Sequence, residues 1–287
     1  MKQVVAGVAL LLCAMVAGPV CAGPVVGKPG DVECAFTVYA DAAAQPEYQL
    51  LDIRVRPRRL EVPQPKGMEP LAPCYLDIYR GDTWLTTVRV FPGGSVSALP
   101  FAGRPWYRVD SHCTDTGAGD MRLSLISPQG EVINVYDADF VSGEQVEQKD
   151  GSLHFSWQSK YANADAAGGA VSYMDSQGMA VVGPQRVRTE ERLPGDDPNI
   201  LDWRKLRTVR ATYLASEEVD NTLTLLRFRT EQGEKLEVLD FGWYWRWLEA
   251  TKGRALLLTV GACDYENTME SGQLDAALYD VVPLPGN

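Results

Sequence analysis

Apolar and polar residues alternate in short runs along this chain, and turn residues cut each run before it grows long. Leu76-Asp77-Ile78-Tyr79 is one such run. A period of two places every second side chain on the same face of an extended strand, so one face is dry and the other wet. The spacing predicts strands over 32–39, 50–56, 74–80, 84–91, 104–113, 121–126 and 131–137, with Arg80-Gly81-Asp82, Pro92-Gly93-Gly94 and Pro128-Gln129-Gly130 as turns. Further on it predicts strands over 152–158, 171–174, 178–190, 206–214, 222–230, 234–247, 254–263 and 274–282. No segment sustains a 3.6-residue apolar stripe, and only Asp197-Pro198 is placed to open a short helix, through Lys205. Many short strands at such spacing predict an all-β fold of sandwich or barrel type. Five prolines from Pro57 to Pro73 exclude a central strand there and predict a surface excursion.

Sliding the chain on itself by 150 positions sets Leu50-Leu51-Asp52-Ile53-Arg54 on Ile200-Leu201-Asp202-Trp203-Arg204, and Cys113 on Cys263. The alternating run at 76–79 falls on Leu226-Arg227-Phe228-Arg229 in the same phase. The expectation is an internal duplication that gives two similar β-sandwich or barrel-like lobes, the first over 30–145 and the second over 170–287. Residues 146–169 are expected to form a connector with an edge strand, and the small, polar stretch from Tyr161 to Ala170 suits a linker.

The N-terminus points to export. Lys2 precedes an apolar run from Val4 to Val16 and then the small-residue stretch Val20-Cys21-Ala22, the layout of a signal peptide cleaved after Ala22. Lipid attachment at Cys21 is the rival reading, and bulky Val20 suits it poorly. No later stretch is long and apolar enough for a transmembrane span. Cys34, Cys74, Cys113 and Cys263 follow the leader, and an even set in an exported chain predicts disulfides. Cys113 and Cys263 are equivalent positions under the 150-residue offset, so they are expected to bridge the lobes, leaving Cys34 to pair with Cys74. No metal or cofactor is expected: the cysteines are far apart, and His112 and His154 are the only histidines.

Charge narrows the partners. The chain has 27 Lys and Arg against 38 Asp and Glu, a net charge of −11, and loses one more positive charge if Lys2 leaves with the leader. Such a field disfavours nucleic acid and steers cationic partners inward. Arg54, Arg56, Arg58 and Arg59, and later Arg204, Lys205, Arg207 and Arg210, are expected to pair with carboxylates across strands.

Catalytic patterns are sparse. Asp115-Thr116-Gly117-Ala118 resembles the signature of the pepsin-like and retroviral aspartic proteases, with Val181-Val182-Gly183 resembling their second element. That resemblance implies two aspartates sharing a proton, yet the position 150 residues beyond Asp115 is Tyr265, and a Gly-rich hairpin accounts for the stretch. Arg188 to Arg192 resembles the arginine–glutamate strand of jelly-roll alginate lyases without their other motifs. No Gly-x-Ser-x-Gly elbow is present.

The densest aromatic stretch is Phe241-Gly242-Trp243-Tyr244-Trp245-Arg246-Trp247. On a strand, Trp243, Trp245 and Trp247 share a face with Phe241, while Tyr244 and Arg246 take the other. That row suits either a packed core or a platform for sugar rings or a protein partner. Taken together, these features predict an exported, periplasmic or secreted, non-catalytic binding protein, most simply a periplasmic inhibitor or immunity-type protein that blocks a secreted hydrolase or toxin. The partner is expected to be a protein, cationic where it docks. The alternatives are a carbohydrate-binding β protein using the tryptophan row, and a glycan-active or aspartic hydrolase.

Overall fold

A computed structural model of the chain describes residues 25–26, 31–39, 45–60, 73–113, 120–164, 171–196, 198–219, 223–240, 245–261 and 277–285. The described chain is almost entirely strand. The first half contributes β1 (Val25–Val26), β2 (Glu33–Thr37), β3 (Glu47–Leu50), β4 (Ile53–Arg59), β5 (Cys74–Arg80), β6 (Thr83–Val90), β7 (Gly93–Phe101), β8 (Arg104–His112), β9 (Asp120–Ile126) and β10 (Val132–Asp139). Next come β11 (Ser142–Lys149), β12 (Ser152–Ala164), β13 (Val171–Val182), β14 (Val187–Arg192) and β15 (Asn199–Asp202), then β16 (Arg207–Glu218), β17 (Thr224–Thr230), β18 (Lys235–Asp240), the helix α1 (Trp245–Leu248), β19 (Ala255–Gly261) and β20 (Ala277–Pro283). They form a first sheet ordered β1-β3-β4-β5-β6, a second ordered β10-β9-β8-β7-β2, a third ordered β11-β12-β13-β14-β15, and a closed barrel ordered β16-β17-β18-β20-β19.

Three hydrophobic cores join these units in a row. Val55, Leu76 and Ile78 of the first sheet meet Val96 and Val109 of the second. Leu123, Leu125 and Val135 on the other face of the second sheet meet Phe155, Trp157 and Ala180 of the third. Leu60 and Tyr75 from the far side of the first sheet join the interior of the barrel. The order is therefore third sheet, second sheet, first sheet, barrel, and the two inner sheets are covered on both faces. That is why β5 and β9 are buried along nearly their whole length instead of on alternate residues. Trp157 lies flat against Gly178, where an added Cβ would come within 2.0 Å of the indole.

The halves do not form two like lobes. β5 and β17 fall 150 residues apart and bury the same phase, Leu76 and Ile78 in one and Leu226 and Phe228 in the other. Beyond that antiparallel meander the chain paths separate. β8 lies between β7 and β9 in the second sheet, whereas β19 returns to pair with β16 and helps close the barrel. The image of β7 is occupied by α1 and the 3-10 turn after it.

The stretch read as a connector with an edge strand is mostly strand, and β11 is the edge of the third sheet. β11 and β12 occupy most of 146–169, joined by Asp150-Gly151 with φ of 51° and 72°, the backbone that a tight hairpin with right-handed twist requires. β12 and β13 pair as far as Ala164 with Val171, so the flanks of the small-residue stretch are two arms of one hairpin and do not belong to separate domains. Pro57 sits inside β4, paired with Leu76 of β5, because β3 stops pairing at Tyr48 with Val55 and, among the described residues, leaves that side of the strand without a neighbour. Residues 61–72, which hold most of the prolines, lie outside the described residues.

One polar clamp crosses the sandwich. Tyr107 of β8 donates its hydroxyl to Asp52, in the turn between β3 and β4, and Arg80 Nε donates to the other carboxylate oxygen at 2.7 Å. Burial acts to raise the Asp52 carboxyl, but the Tyr107 hydrogen bond and the Arg80 charge outweigh it and hold the group below its ordinary 3.8. A depressed folded-state value means the clamp stabilises the fold above the ordinary carboxylate range and loses that contribution as pH falls through the depressed one. Urea midpoints measured from neutral pH down to about pH 2 should therefore fall more steeply for the natural chain than for Asp52→Asn. Parallel curves would show that the clamp has no net charge preference.

Candidate functional site

Where the barrel meets the sandwich, strands from three units enclose a cleft of about 910 Å³. Its barrel wall follows from strand register. Thr208 pairs with Thr259, and Thr259 with Asp280, so two hydroxyls and a carboxylate lie side by side across β16, β19 and β20. Inward positions of the same strands, Ala211, Leu258 and Val281, fill the barrel core, and alternation turns this polar row outward into the cleft.

The opposite wall is β6, with Trp84, Leu85, Thr86 and Thr87. The loop from β9 to β10 forms the third side, and it approaches β6 closely because Gly130 takes φ 86°, with a Cβ there only 2.7 Å from the Leu85 carbonyl oxygen. Trp203 completes the enclosure from the 3-10 turn Trp203–Lys205, whose start is capped where Asp202 accepts from the Arg204 amide at 3.1 Å. Both indole N–H groups point into the protein. Trp84 donates to Thr87 Oγ1 at 3.0 Å and Trp203 to Thr189 Oγ1 at 3.3 Å. What the two indoles offer the cleft is therefore ring carbon.

Arg210 spans the cleft from barrel to sandwich. Its guanidinium stands 5.9 Å from the Trp84 ring centroid and its Nη1 is 3.6 Å from Glu231. Glu131, Glu234 and Asp280 also line the cleft, with Arg207 as the other cation. The Oδ1 atom of Asp280 is shielded from solvent and accepts no hydrogen bond among the described residues. The site thus combines apolar ring faces, hydroxyls and surplus negative charge, an arrangement that can hold a hydrogen-bond donor carrying positive charge.

The residues expected from sequence to form a site go elsewhere. β18 ends at Asp240, before the aromatic stretch, and Trp245 and Trp247 lie in α1, so these two do not share a strand face. Trp243 and Tyr244 lie outside the described residues, and Trp245 and Arg246 are in α1. Trp247, also in α1, is buried in the barrel core beside Tyr75, its ring in edge contact at 6.5 Å between centroids. A helical backbone separates positions two apart by more than half a turn, and so breaks the shared face that a strand would provide.

The expected Cys34–Cys74 bridge is not formed. Cys34 is a buried free thiol on β2, at the edge of the second sheet, while Cys74 stands on β5 within the first. Burial pushes both thiols up to about 11, with the Arg59 charge acting in the opposite direction at Cys74. Cys263 and Asp115 lie outside the described residues, so the Cys113–Cys263 pairing and the Asp-Thr-Gly stretch do too. Of the arginines expected to pair across strands, Arg56 meets Glu47 and Arg58 meets Asp77. Among the described residues no group of three His, Cys, Asp or Glu side chains is placed to hold a metal ion, and no helix is long and apolar enough to cross a membrane.

No motif signals the cleft. Its members are short pieces of β6, the β9–β10 loop, a 3-10 turn, β16, the β17–β18 turn, β19 and β20, brought together from distant parts of the chain. The one local cue is Pro128-Gln129-Gly130, legible as a turn but not as a wall. Comparison of the chain with known protein families, with curated proteins and with solved structures finds no match.

Proposed function

We propose that this chain is an exported binding protein that acts without catalysis by blocking a secreted protein, a hydrolase or a toxin. The observation that supports it is the junction cleft, in which surplus carboxylates stand beside two indole faces on strands that are hydrogen-bonded into sheets and a closed barrel. Rigid strands preorganise such a surface, so binding orders few groups and its entropic cost is small. Export rests on the leader-like N-terminus, and a cationic docking face on the partner on the net charge of −11.

Against the sugar-binding alternative stands the burial of Trp247 in the barrel core, which removes that indole from any exposed platform. The test is co-expression with the product of the adjacent reading frame. A stoichiometric complex that silences that product's activity is the expected result, with an association rate that falls as salt rises. If the neighbour neither binds nor is silenced, the inhibitor reading is wrong.

A further inference from the structure

We propose that the junction cleft receives a cationic side chain, lysine or arginine, from an extended segment of the protein partner, with Asp280 as its counter-charge. This deepens the binding reading above and names what that site recognises.

Three observations carry it. The first is the solvent-shielded Asp280 Oδ1 with no donor among the described residues. With no internal donor on that shielded oxygen, the carboxylate charge is left uncompensated within the fold, so a cation placed beside the exposed part of the side chain recovers electrostatic energy that the unbound fold forgoes. The second is the cross-strand row in which Thr208 and Thr259 stand next to Asp280. Neighbouring strands are about 4.8 Å apart, so the Asp280 carboxylate and the Thr259 hydroxyl beside it are within the span of one ammonium or guanidinium, which have donors and no acceptor. The third is charge. With Arg210 paired to Glu231, the remaining ionisable groups at the cleft are Glu131, Glu234 and Asp280 against Arg207.

The walls suit the rest of such a side chain. Lysine and arginine carry methylene stems that bury against apolar surface while the charged head stays hydrated or paired. Trp84 and Trp203 present ring carbon because their N–H groups are occupied by Thr87 and Thr189. Arg210 already stands over the Trp84 ring, so the incoming cation gains attraction to a ring from the Trp203 face. At about 910 Å³ the cleft exceeds one side chain and leaves room for the residues flanking it.

The test uses the full chain and an alternating alanine–lysine octapeptide as probe, with an alanine–glutamate octapeptide and chitohexaose in parallel arms, by calorimetry at low and physiological salt. The lysine peptide is expected to bind the natural chain and Glu237→Gln alike, and Asp280→Asn about tenfold more weakly or worse. Glu237, exposed beside Arg227 on β18, controls for loss of one acidic charge outside the cleft. Hydrogen exchange on the natural chain supplies a readout that needs no variant: bound peptide should protect amides over 84–87 and 206–210. Equal binding to Asp280→Asn with no such footprint would show diffuse acidity at work and overturn the proposal. So would binding of chitohexaose in place of the peptide, or no binding in any arm. The synthetic probe makes no use of the natural partner, so failure here leaves the co-expression result standing, and the reverse holds too.

Discussion

Arg58→Leu is expected to destabilise the fold by about 3–5 kcal/mol, the cost of stranding a buried charge. Asp77 is 1 % exposed on β5. Arg58 grips it with two donors, Nε at 2.8 Å and Nη2 at 3.0 Å, and Thr87 Oγ1 donates to the same carboxylate at 2.7 Å. Arg58 also donates to the Pro283 carbonyl at 2.7 Å and lies 5.2 Å from the Tyr75 ring centroid, so one guanidinium ties the first sheet to the last strand of the barrel. Leucine keeps much of the volume and none of the charge or hydrogen bonds. The carboxylate left behind must be hydrated within the fold or protonated at a cost. Replacing both members, Arg58→Leu with Asp77→Leu, should recover a large part of the loss, since no unpaired charge then remains. Urea midpoints for the two single variants and the double variant measure this directly. A single variant that unfolds at the natural midpoint would mean that the pair contributes nothing to holding sheet and barrel together.

Trp247→Ala should cost a similar amount, about 3–5 kcal/mol, for a different reason. The indole is 7 % exposed and packs with Tyr75, Leu248 and the barrel interior. Truncation leaves a cavity in a small closed barrel whose backbone cannot collapse without breaking strand pairs, so relaxation is limited and the penalty stays near the upper end for a large aromatic. Hydrogen exchange should show the loss in β16 to β20 first, because Trp247 belongs to that core. A tryptophan serving a ligand would behave in the opposite way, with binding lost and stability kept. The variant therefore separates the two roles that the aromatic stretch suggests when read in isolation.

That stretch illustrates where sequence reasoning ends. Alternation found β5 at its observed limits and β17 with its start two residues early, because side-chain period is a local consequence of extended backbone and needs no knowledge of neighbours. Asp150-Gly151 is an equally local hairpin signal, and it joins β11 to β12. The strand limit at Asp240 was not legible in the same way. Aromatic residues suit strands by propensity, and only the closing barrel, which needs a cap between β18 and β19, draws 245–248 into a helical turn. The matching phase of β5 and β17 likewise says nothing about where β8 or β19 will pair.

The cleft lies wholly on the far side of that boundary. Trp84, Trp203 and Asp280 are ordinary residues in three distant parts of the chain, and none belongs to a recurrent motif. They meet because β20 inserts between β18 and β19 and because the far face of the first sheet packs on the barrel.

From its sequence by itself, then, this protein is an acidic, all-β chain whose strands and several of whose turns are set by local patterning, with an expected route of export. Which sheets face each other, which half closes on itself, which tryptophan is core and which carboxylates share a cleft were decided by tertiary structure. The reason is physical: period and turn chemistry act over a few neighbouring residues, whereas sheet order and burial depend on pairings between segments far apart in the chain, and many such pairings satisfy the same local pattern.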